Sequence, residues 1–140
     1  MPQIQTSSFP DTNLYINSKR ELSSSKFGIF ADRDGTLIKH VDYIADPDAI
    51  ELLPGVKEAV HQIIESQVHF FILTNQSGVG RGYFPIERVY ACQRLLFELL
   101  ELKPEEISGW CIAPELPGTD GRYRKPSTRF LQEASKQLDF

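Results

Sequence analysis

Cysteine, tryptophan and long apolar runs are what this chain of 140 residues has least of. Its two thiols, Cys92 and Cys111, cannot build a disulfide framework and suit a reducing cytoplasm. No stretch approaches the roughly 20 apolar residues that span a bilayer, so no membrane partner is expected. Positive charge is in deficit: 15 Lys and Arg stand against 19 Asp and Glu, for a net charge of −4. A general nucleic-acid partner is therefore not expected either. The three histidines, His40, His61 and His69, lie at no metal-ligand spacing with each other or with a cysteine. What remains, with 41% hydrophobic and 24% charged residues, is the composition of an ordinary globule of one domain.

Residues 1–26 are polar, rich in Ser and without a helical or strand period. They read as a disordered N-terminal tail, with the folded domain at 27–140. The tail lacks the apolar centre of a secretory signal.

The chain is organised around residues 27–36, FGIFADRDGT. A short apolar run bounded by turn residues suits a buried strand. Asp32 and Asp34 then hang off its carboxyl end, where open α/β sheets place their ligand sites. Two acids this close are costly unless something positive sits between them or one holds a proton. Alone, the pattern equally fits a polar turn.

Residues 37–53 have no clean period and contain Asp-Pro, so they read as a loop or flap over the strand end. His40 lies in it, as a substrate contact or as a solvated loop residue. Val56, Ala59, Val60, Ile63 and Ile64 mark one face of a helix at about 55–66. The run VHFFILT at 68–74 is a second strand, covered on both faces. Strand, helix, strand makes a right-handed unit with parallel strands, which brings Thr74 to the same sheet edge as Asp32. The Gly-rich segment 75–84, NQSGVGRGYF, allows close approach to a ligand and offers Ser77 and the Arg81 fork. It is neither a Walker loop nor a dinucleotide fingerprint. A helix at 85–102, a strand at 109–113 and a helix at 127–138 complete the pattern.

Asp32, Asp34, Thr74 and Lys125 should thus converge. Two carboxylates, a hydroxyl and an ammonium serve phosphoryl transfer through an aspartyl-phosphate. Asp32 is the candidate nucleophile and Asp34 the candidate acid and base, with Mg²⁺, Lys125 and Thr74 meeting the phosphoryl charge.

The motifs Asp32-Arg33-Asp34-Gly35-Thr36, Thr74 and Lys125 resemble those of the haloacid dehalogenase (HAD) superfamily of phosphatases. The flap DYIADPDAIELLPGV, the string TNQSGVGRGYF and Arg124-Lys125-Pro126 are similar to one branch of it. That branch comprises D-glycero-D-manno-heptose 1,7-bisphosphate phosphatases and histidinol-phosphatases. The resemblance implies a small phosphorylated sugar as substrate. Thr74 and Asn75 would hold its phosphate, and Arg81 and Arg124 would contact the rest. Asp32 and Asp34 would hold Mg²⁺, the second through its carbonyl.

Two departures qualify this. Many members of the branch bind zinc through Cys and His before the Arg-Lys-Pro, whereas residues 113–126 contain neither, so no zinc is expected. The fourth motif, a Gly-Asp with a further acid, does not follow Lys125. The implied fold is an α/β, Rossmann-like three-layer sandwich, truncated, with parallel strands in the order 3-2-1. The strand before Asp32 would then be an apolar edge, inviting low solubility or an edge-to-edge homodimer. A truncated, weakly active or inactive relative that only binds a phosphosugar or a partner is the alternative.

Overall fold

The computed structural model describes residues 9–20, 22, 26–118 and 122–140. Among them, four strands form one sheet: β1 (Leu14–Ile16), β2 (Gly28–Asp32), β3 (His69–Asn75) and β4 (Gly109–Ala113), in spatial order β1-β4-β3-β2. The helices are α1 (Val56–Glu65), the single turn α2 (Ser77–Gly80), α3 (Ile86–Leu99) and α4 (Arg129–Leu138).

Strand alternation on β3 sets the layers, because successive side chains point to opposite faces. Phe70 and Ile72 face a core shared with Val60 and Ile64 of α1 and Val89, Leu96 and Phe97 of α3. Phe71 and Leu73 face a smaller core with Cys111 of β4 and Phe130 and Ala134 of α4. All six residues from His69 to Thr74 are buried, which explains their apolar run. Phe71 is fully buried and meets Phe30, Phe130 and Phe140. Truncating such a residue to Ala costs about 3–5 kcal/mol.

The parallel order expected as 3-2-1 is present as β4-β3-β2, with β2 at an edge. Phe27 is 62% exposed beside it. The sheet is nonetheless not limited to three strands. β1 pairs antiparallel with β4, Tyr15 opposite Trp110. The reading of 1–26 as a disordered tail is therefore corrected for 9–20, while 1–8, 21 and 23–25 lie outside the described residues. Phe9 stacks on Phe97 at 4.1 Å, and Trp110 Nε1 donates to the Thr12 carbonyl at 2.9 Å. Gly109 allows this approach: a Cβ there would lie 2.1 Å from the Tyr15 carbonyl oxygen.

Segment 37–53 is rooted more deeply than a flap. Leu37, Ile38, Ile44 and Ile50 are buried in the α1–α3 core, and Ile38 bridges Leu52. The third helix ends at Leu99, short of the expected 102, where Glu101 turns the chain out of the helix with a left-handed φ of 54°. No helix among the described residues is long and apolar enough to cross a membrane.

Candidate active site

The parallel register Asp32↔Leu73 carries the carboxyl ends of β2 and β3 to one edge, where Asp32 and Thr74 stand. Beyond β2 the chain turns sharply, and the Arg33 carbonyl accepts from the N–H groups of Leu37 and Ile38 at 2.9 and 3.1 Å. That turn presents Asp34 beside Asp32. Lys125 reaches the site from the segment before α4. Its Nζ contacts Asp32 Oδ1 and lies 3.3 Å from the Leu73 carbonyl oxygen. The side chains of this pair are 32% and 45% exposed, so the pair contributes only about 0–1 kcal/mol and opens readily to an incoming anion.

Asn75 has its side chain committed. Oδ1 accepts from the Lys125 N–H at 3.0 Å, and Nδ2 donates to the Lys125 carbonyl at 3.3 Å. It fastens the backbone that carries the ammonium. Arg124 donates from NH1 to the Glu115 carbonyl at 3.3 Å, bracing the loop after β4. Arg81 is exposed, with its guanidinium 5.9 Å from the Tyr43 ring centre. Tyr43 packs edge-on against Tyr83 at 5.0 Å, so these three form a rim separate from the Asp32–Lys125 contact. His40 is also exposed and pairs with Asp42 at 2.9 Å. A cavity of about 210 Å³ lies between Tyr43 and Asp34, lined also by His40, Asn75, Gln76 and Ser77. A larger hollow of about 670 Å³ between β1 and α4 contains none of the converging groups.

Two residues here escaped the sequence reading. Arg33 is fully buried, and its Nε donates to Asp34 Oδ1 at 2.7 Å. Its NH1 reaches Gln93 Oε1 at 3.5 Å, while NH2 has no partner among the described residues. The positive group that two neighbouring acids require was thus present between them in the chain. Gln76, 4% exposed, donates from Nε2 to Asp34 Oδ2 at 3.2 Å and to Thr74 Oγ1 at 2.7 Å. Gly80 lets this loop close onto the end of β4: its N–H donates to the Pro114 carbonyl at 3.1 Å, and a Cβ would sit 2.6 Å from that oxygen.

Comparison with known proteins decides the family. A D-glycero-D-manno-heptose-1,7-bisphosphate 7-phosphatase of Thermosynechococcus vestitus is 31% identical over 122 residues, 79% of this chain and 62% of that protein. A protein of Thermoplasma volcanium named for the same activity is 30% identical over 105 residues, 75% of this chain and 72% of its own length. A crystal structure of a HAD-like phosphatase from Mesorhizobium loti superposes with TM-score 0.75 at 29% identity, covering 89% of this chain and 63% of that one.

The chain belongs to the HAD-like phosphatase family.

A D,D-heptose 1,7-bisphosphate phosphatase of B. bronchiseptica, complexed with magnesium and phosphate, shares the fold at TM-score 0.71 and 24% identity, over 81% of this chain and 64% of that one. The chain spans under two thirds of the Thermosynechococcus relative's length. No protein-family model matches it.

Proposed function

We propose that the chain carries a phosphomonoesterase site for a small phosphorylated sugar, working through an aspartyl-phosphate. The observation that carries this is the meeting of Lys125 with Asp32, beside an Asp34 tied through Gln76 to Thr74. An Asp32 carboxylate oxygen attacks phosphorus, and the bond from phosphorus to the sugar oxygen breaks. Asp34 gives that oxygen its proton. Water then attacks the phosphoryl group, Asp34 takes the proton, and inorganic phosphate leaves with Asp32 restored. Lys125 and Thr74 meet the phosphoryl oxygens. A bisphosphate or sugar leaving group would lie in the cavity toward Tyr43 and Arg81.

The donor chemistry fits Mg²⁺, since the site offers carboxylate and carbonyl oxygens, and this ion binds through one or two carboxylates together with phosphate. The Asp32 carboxylate and the Asp34 carbonyl would hold it. Bound there, the ion supplies positive charge to the phosphoryl oxygens. The chemistry of the relatives named above supports the substrate class, and the two buried free thiols support work in the reducing cytoplasm.

The test is turnover of heptose bisphosphate, histidinol phosphate and an aryl phosphate with Mg²⁺. Asp32→Asn should abolish release of phosphate while leaving the fold intact. Undiminished turnover in that variant would refute the assignment. A second reading, binding with little turnover, is favoured by the small donor set at the site: among the described residues no third Asp, Glu, His or Cys side chain joins Asp32 and Asp34 in a group suited to a metal. Phosphate binding without release of product would select it.

A further inference from the structure

The proposed reaction gives no task to Gln76, yet this residue joins the two halves of the site. Its side chain is buried, and its backbone N–H is anchored to the Ala113 carbonyl at 2.8 Å, so the amide is held from both sides of β3. Arg33 already donates to Asp34 Oδ1, which leaves Oδ2 as the oxygen facing Gln76. The opposite amide orientation would set Oε1 against a carboxylate oxygen, so the network fixes the –NH₂ group toward Asp34. That group has two hydrogens. One serves Asp34 Oδ2 and the other Thr74 Oγ1. Thr74 therefore accepts from Gln76, and its own hydroxyl hydrogen is directed elsewhere. The groups that come to this site with acceptors to offer are phosphoryl oxygens.

We propose that Gln76 is a positioning residue that couples the Asp34 carboxylate to the Thr74 hydroxyl, turning Thr74 into a donor toward bound phosphate. The proposal rests on the phosphatase reading and adds to it the assignment of which partner sets the hydroxyl. A residue that served only the fold would affect phosphate affinity equally whether or not Thr74 had a hydroxyl.

The experiment is a calorimetric titration of inorganic phosphate, with Mg²⁺ present, into the unaltered chain, Gln76→Met, Thr74→Val and the double variant. Gln76→Met should weaken phosphate by about tenfold in the first background. It should change affinity less than about twofold in the Thr74→Val background, because the hydroxyl it orients is gone. An equal loss in both backgrounds, or no loss in either, overturns the proposal. A second measurement needs neither phosphate nor turnover. Gln76→Glu sets a carboxylate against Asp34 and should lower the urea midpoint; Asp34→Asn, which takes the carboxylate from buried Arg33, should cost the unaltered chain more than it costs Gln76→Glu, and that relative rescue marks the contact. Failure of that rescue also overturns the proposal. A chain that binds no phosphate and releases none removes the phosphatase reading, while the rescue still decides the Gln76–Asp34 contact.

Discussion

Gly109→Ala tests the least expected part of the fold, the seating of β1 on β4. A Cβ at this position would lie 2.1 Å from the Tyr15 carbonyl oxygen, against a floor of 3.0 Å for real contacts, so about 0.9 Å must open. The obstacle is backbone on a paired strand and cannot rotate away. Opening by that amount stretches the Asn17 N–H bond to the Ser108 carbonyl from 2.8 Å to about 3.7 Å, beyond hydrogen-bond range. The Ile112 N–H bond to the Asn13 carbonyl and the Trp110 indole bond to the Thr12 carbonyl share the same strap. Loss of two or three such bonds, at about 1 kcal/mol each, predicts a destabilisation of about 2–3 kcal/mol. With a urea slope near 2 kcal/mol/M, the midpoint should fall by about 1 M. The assay has a built-in reporter, because Trp110 is the sole tryptophan and is 1% exposed beneath Tyr15 and Phe9. Native emission should be blue-shifted, and the variant should shift to the red before global unfolding. Unchanged emission together with an unchanged urea midpoint would show that β1 is not seated as described.

Three other outcomes are expected. Burial, and then the neighbouring Arg20 guanidinium, push the His69 pKa below its ordinary value of about 6.5. The unfolded chain then binds the extra proton first, so this contribution is complete above pH 6.5 and is lost as pH falls from there through the folded value. Urea midpoints from pH 7.5 to 5.5 should decline, and His69→Asn should flatten the slope; parallel slopes would contradict this. The exposed Phe27 and the β2 edge should drive self-association, and Phe27→Lys should raise the monomer fraction in sedimentation. A concentration-independent monomer in the unaltered chain would remove that idea. Elemental analysis of untagged protein should find no stoichiometric zinc, since residues 113–126 supply neither thiol nor imidazole.

The meeting of the candidate site residues at one sheet edge was legible because their types and spacing are local facts. An apolar run followed by Asp-x-Asp, a second run ended by Thr74, and Lys125 before a helix need only the parallel βαβ rule to be brought to one edge. β1 was not legible. Three residues flanked by polar ones carry no period, and Leu14–Ile16 becomes a strand only because β4 offers a free edge and Gly109 offers room. The side-chain roles of Asn75 and Gln76 were hidden for a similar reason. Sequence placed both in the loop after Thr74, but only the arrival of Lys125 from fifty residues away commits the Asn75 amide, and only the turn at Asp34 gives the Gln76 amide its acceptor. Arg33 is the sharpest case. Its charge reads as surface, and tertiary packing buries it completely because the Asp34 carboxylate is there to receive it. Sequence determined which candidate groups the chain carries and which sheet edge they share. Tertiary structure alone decided the hydrogen bonds of Gln76 to Asp34 and of Asn75 to Lys125, because these join segments that no local pattern connects.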